Sequence, residues 1–109
     1  MKIDKEEALA KLADSGTPFL PLFEHGTLTI EMYKPQQVDL QEPHTRDEVY
    51  IVVAGHGEFL NQGERTTFGA GDFLFVPAGA EHRFENFTED FATWVIFYGP
   101  EGGENPEKE

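Results

Sequence analysis

Apolar positions along the chain change spacing at Pro18. Before it, Ala8, Leu9 and Leu12 form a narrow apolar stripe at helical spacing, which predicts a helix over Asp4 to Ala13. Asp4 is a suitable N-cap, Glu7 stands three residues on as in a capping box, and Gly16 follows as a stop. After Pro18 the pattern becomes short runs rich in Val, Ile, Phe, Tyr and Thr, separated by turn residues. Strands are predicted at Leu28 to Tyr33, Glu48 to Gly55, Gly57 to Asn61, Glu64 to Phe68, Asp72 to Pro77, Glu81 to Asn86 and Phe91 to Tyr98. Asn61 to Gly63 reads as a hairpin tip, and the stretches around Gly71 and Gly79 read as tight corners. Many short strands with regular turns predict an all-β sandwich or barrel behind a short N-terminal helical segment.

At 109 residues the chain is sized for one domain, and ten Phe, three Tyr and one Trp provide large apolar area for its core. The phenylalanines at 73, 75, 84, 87, 91 and 97, with Trp94, are expected mostly in that core. The expected domain spans 1–101, with residues 1–16 as its helical segment, and the acidic end 102–109 is expected to be disordered. No cysteine is present, which removes disulfides, thiolate ligands and a cysteine nucleophile. The N-terminus lacks the apolar region of a secretory signal, and no run is long enough to span a membrane, so a cytoplasmic protein is expected. The formal charge of -13 repels phosphate backbones and argues against nucleic acid as a partner.

The same period of two also sorts the polar residues. Glu42, His44, Glu48 and Tyr50 are all even-numbered, so on an extended chain they share a face; His82 and Phe84 share another. If both faces line a barrel interior, carboxylates and imidazoles converge there. Burying them without partners is unfavourable, and a divalent cation resolves it, because two histidines with one carboxylate form a known ligand set. His44, Glu48 and His82 are therefore candidate metal ligands, with Glu42 as a candidate fourth. Tyr50 is a candidate acid–base hydroxyl, and Arg46 a candidate partner for a substrate carboxylate. His25 and His56 lie beside glycines and are expected at the surface.

Gly71, Pro77, Gly79, His82 and Asn86 have the spacing of the second motif of the cupins, and His44, Glu48 and Gly55 have that of the first, with Glu42 where a leading histidine usually stands. The chain thus resembles a small single-domain cupin. The resemblance implies a double-stranded β-helix, or jelly-roll, barrel and a divalent metal ion (Fe, Mn, Ni or Zn) on His44, Glu48 and His82. It also implies a homodimer and a small-molecule substrate or ligand. A metal-dependent enzyme of dioxygenase or isomerase type is the expected function. A non-catalytic binding or sensing module, or a barrel with a vestigial site, are the alternatives.

Overall fold

The helix and the strands form where the patterning places them, with one addition. The computed structural model describes residues 1–105. Among these, α1 runs Lys5–Ser15, and the Asp4 side chain accepts from the Glu6 amide as its N-cap. Gly16 closes the helix in the left-handed conformation (φ 72°), which glycine adopts without a Cβ clash. The strands are β1 Phe19–His25, β2 Leu28–Tyr33, β3 Asp47–Ala54, β4 His56–Asn61, β5 Glu64–Gly69, β6 Phe73–Val76, β7 His82–Glu85 and β8 Ala92–Tyr98.

The unforeseen element is β1. Pro18 and Pro21 argue against a strand there, but β1 lies at a sheet edge and pairs only with β2, where a missing amide is tolerated. The register of this pair shifts between Pro21 and Phe23.

Two antiparallel sheets result, in the orders β1-β2-β8-β3-β6 and β5-β4-β7. Tyr33, Tyr50, Val52 and Val95 from the larger sheet pack against Phe59, Phe68 and Phe84 from the smaller, with Phe91 between them. The ring of Phe84 stands 4.9 Å from Tyr50, 4.7 Å from Phe59 and 4.6 Å from Phe91, in the edge-on and tilted arrangements that aromatic quadrupoles favour. The helix lays Ala8 and Leu12 on the opposite face of the larger sheet, against Met32 and Ala92. This is the jelly-roll architecture expected, with a short N-terminal helix.

One expectation about the core needs correction. Phe73 and Phe75 are not core: they are 64% and 41% exposed. In β6 it is Leu74 and Val76 that turn inward, and strand alternation sends the two phenylalanines outward. At the start of the acidic end, two backbone amides are held. The Gly102 amide donates to the Thr45 carbonyl (2.7 Å) and the Glu104 amide to Asp47 Oδ2 (2.8 Å), which fastens this stretch beside β3. The rest of the expected tail, 106–109, lies outside the described residues.

Candidate metal centre

Three chain segments meet at one end of the inner face of the larger sheet. Glu48 lies on β3, and the sheet register sets it between Phe97 of β8 and Val76 of β6. His44 precedes β3 in an irregular segment. His82 opens β7 in the smaller sheet, just past the Pro77–Gly79 corner. That corner is fastened to the His44 segment at two points. The Gly79 amide donates to the His44 carbonyl (2.7 Å), and the Ala78 amide donates to Asp47 Oδ1 (2.9 Å). The corner thus returns the chain to the barrel and delivers His82 opposite β3.

The result is a cluster in which one ligand atom each of His44, Glu48 and His82 lies within 4.8 Å of the others. His82 Nε2 stands 3.3 Å from Glu48 Oε1, and His44 Nε2 stands 3.9 Å from Glu48 Oε2. The first lacks hydrogen-bond alignment and the second is too long for a hydrogen bond, so both are electrostatic contacts. Glu48 is fully buried, and both of its carboxylate oxygens and His82 Nε2 lack a hydrogen-bond partner. Buried polar atoms without partners are rare, because each forgoes its hydration for nothing. Here they point at one another around a single point.

The tautomer of His82 follows from its other nitrogen. Nδ1 lies 3.0 Å from the Ala80 carbonyl, an acceptor only, so Nδ1 carries the proton and Nε2 faces Glu48. Burial alone would lower the His82 pKa. The Glu48 carboxylate, the Ala80 carbonyl and the Asp39 charge outweigh it, and the net direction is upward from 6.5. The Tyr50 phenol is pushed well above its usual range, first by burial and then by the charge of Glu48, so it stays protonated.

Glu42 does not join the cluster; it is exposed. Glu42 would share a face with Glu48 only on a chain extended from 42 to 48, but β3 begins only at Asp47 and the preceding segment has no strand period. Gln41 turns inward instead. Its Oε1 lies 3.3 Å from His44 Nε2 and accepts from the Tyr50 hydroxyl (3.0 Å), while its Nε2 donates to Asp39 Oδ2 (3.0 Å). Asp39 is itself buried and accepts from the Tyr33 hydroxyl (2.6 Å), the Gln41 amide (3.1 Å) and the Phe84 amide (2.9 Å). Sequence reasoning missed both residues, since nothing in an irregular segment signals which side chain faces in.

Arg46 is committed elsewhere than expected. It donates to the Thr27 carbonyl and to Thr29 Oγ1 (3.2 Å) and lies 6.0 Å over the Phe97 ring, so it ties the His44 segment to β2. His25 and His56 are exposed, as expected. Glu31 was not singled out by its sequence; it is half-buried on β2, and burial, then the nearby Glu48 charge, raises its pKa from 4.5. An apolar-walled cleft of about 880 Å³ between the end of α1 and the Tyr33–Gln41 segment borders the site through Gln41.

Residues 29–98 match the family model described as "Cupin domain". An uncharacterized protein of Streptomyces coelicolor is 32% identical over 98 residues, covering 88% of this chain and 93% of its own. An acireductone dioxygenase of Geobacillus thermodenitrificans is 36% identical over 66 residues; the match covers 54% of this chain but only 37% of the enzyme. Among solved structures, a cupin-2 domain containing protein from Shewanella frigidimarina superposes with a TM-score of 0.68 at 21% identity, covering 89% of this chain and 94% of that one. At that identity the likeness speaks for the fold alone.

Proposed function

The chain belongs to the cupin-domain family, and from that premise we propose that it is a metal-dependent enzyme acting on a small molecule, with His44, Glu48 and His82 holding a divalent ion. One observation carries the reading: the fully buried Glu48 and the inward nitrogen of His82 present three polar atoms that lack partners and face a common point. A cation satisfies all three at once, and imidazole with carboxylate is a donor set that Fe, Mn, Ni and Zn accept. Such an ion would polarise the oxygen atoms of a bound substrate and, as iron, would support dioxygen chemistry.

The surrounding residues set what the site admits. The His44 side chain is 36% exposed and marks the open side of the centre. Tyr50, protonated and held by Gln41, can donate but not accept a proton at its hydroxyl at neutral pH. The aromatic floor of Phe59 and Phe84 excludes water from behind the site. Arg46 braces the rim through its bonds to β2. The aligned acireductone dioxygenase supports an oxygenase-type reaction, although the match spans under half of that enzyme. We also propose that two copies pair through the outer sheet face, where Ile51, Phe73 and Phe75 stand exposed side by side.

The test is metal content by plasma mass spectrometry on wild type and on the Glu48→Ala and His82→Ala variants. Near-stoichiometric metal that disappears in both variants supports the centre, and iron then directs oxygen-uptake assays. Absence of metal after reconstitution refutes the reading and leaves a ligand-binding or vestigial barrel.

A further inference from the structure

The three donors leave one corner of the site without a protein ligand, and the residue at the usual fourth position, Glu42, is turned to solvent. We infer that the side-chain oxygen of Gln41 is the fourth protein donor to the metal, a step that rests on the metal-centre reading above.

The orientation of the amide is fixed from both ends. Its nitrogen faces Asp39 Oδ2 at 3.0 Å, and a carboxylate that already accepts backbone and phenol donors takes only a donor there. Its oxygen therefore faces the other way, where it accepts from the Tyr50 hydroxyl at 3.0 Å and lies 3.3 Å from His44 Nε2. An amide oxygen has two lone pairs, and Tyr50 occupies one.

The spacing suits shared ligation. Donors bonded at about 2.1 Å in tetrahedral geometry stand about 3.4 Å apart, and cis donors of an octahedron about 3.0 Å. Gln41 Oε1 to His44 Nε2 is 3.3 Å, the same as His82 Nε2 to Glu48 Oε1. At 3.3 Å the contact is long for a hydrogen bond, and His44 Nε2 cannot both donate to Gln41 and bind an ion. With an ion present, the two atoms turn their lone pairs to it together. The set becomes two imidazoles, one carboxylate and one neutral amide oxygen, carrying a single formal negative charge. Glu42 in that place would have added a second.

The Tyr50 hydroxyl and Asp39 then act as positioning groups. They hold the amide so that the loss of side-chain freedom on binding metal is already met by the fold.

The experiment uses the full chain, stripped with chelator and titrated with Co(II) and Zn(II). Gln41→Met keeps the length of the side chain without its oxygen, and Glu42→Gln is the control. Expected is a loss of Co(II) affinity of more than about tenfold in Gln41→Met, and in the wild type a Zn(II)-induced shift of the side-chain carbonyl carbon signal of Gln41. Glu42→Gln should bind as wild type does. Weakened binding in Gln41→Met with no shift of that carbonyl signal in the wild type overturns the inference and makes Gln41 a positioning residue. Should that variant fail to fold, the wild type still decides: Zn(II) must shift the side-chain carbonyl carbon signal of Gln41, and an unmoved signal overturns the inference. If wild type binds neither ion, the metal-centre reading itself fails and takes this one with it. If it binds both through three protein donors, only the role of Gln41 fails.

Discussion

Replacing Glu48 by methionine should make the metal-free protein more stable while abolishing metal binding. The side chain is wholly buried, and its two oxygens lack hydrogen-bond partners. Leaving a buried polar atom unsatisfied costs about 1–3 kcal/mol. Methionine has a similar volume and sheds both oxygens, but it also forfeits the 3.3 Å approach of His82 Nε2. Removing one partner of a charged buried pair would instead cost about 3–5 kcal/mol by leaving the other charge unpaired, so the gain applies where His82 is neutral and only the penalty on the two oxygens is removed. The net expectation is about 1–3 kcal/mol, and each 1 kcal/mol moves the midpoint of a domain near this size by roughly 4–8 °C. Metal reverses the order. An ion at a thousand times its dissociation constant adds about 4.1 kcal/mol to the wild type and nothing to a variant that cannot bind it. The assay is thermal unfolding by circular dichroism at pH 8, on the side where His82 loses charge, with chelator and then with Zn(II). A Glu48→Met midpoint below wild type in chelator would refute the reasoning, because it would mean that Glu48 is satisfied within the fold and has no need of a cation.

Other consequences follow from the same geometry. The His82 pKa is raised in the metal-free fold, so its protonated form contributes stability that is present below the unfolded value near 6.5 and lost as pH rises through the folded value. Metal binding requires that proton to leave, so Zn(II) affinity should climb with pH across this window; a flat isothermal-titration profile would contradict it. Gly55→Ala should destabilise by about 2–4 kcal/mol from positive-φ strain and overpacking together. Its φ is 84°, and a Cβ there would lie 2.6 Å from Phe91 Cα and 2.6 Å from Thr88 Oγ1; a urea midpoint within error of wild type would contradict this. Glu31→Gln should stabilise at neutral pH by less than about 1 kcal/mol, since the carboxyl is only half-buried and solvent screens it. The raised pKa means that folding favours the protonated acid, so the advantage should fade as pH falls below the ordinary 4.5; an advantage that persists at pH 3 would exclude the charge as its cause.

Several of these features were legible in the sequence because they depend on short-range rules. Period-two patterning and turn residues placed seven of the described strands, and the cap residues Asp4 and Gly16 bracketed the helix. The alternation within β3 put Glu48, Tyr50 and Val52 on one buried face, and the spacing around Gly79 placed His82 just past a corner. What the sequence could not decide lies where the chain has no period. Between Tyr33 and Asp47 no strand fixes parity, so the choice between Gln41 and Glu42 as the inward residue was left to tertiary contacts. Asp39 made that choice by accepting from the Phe84 amide, 45 residues away, and from Tyr33. The strand at β1 was likewise decided by position, because only an edge tolerates Pro21. The outward turn of Phe73 and Phe75 depended on which side of β6 faced the other sheet, a fact of packing that composition does not carry. Local sequence determines direction along an element; only the folded chain determines which groups from distant elements meet, because that is settled by hydrogen bonds and burial between segments that are not neighbours in sequence.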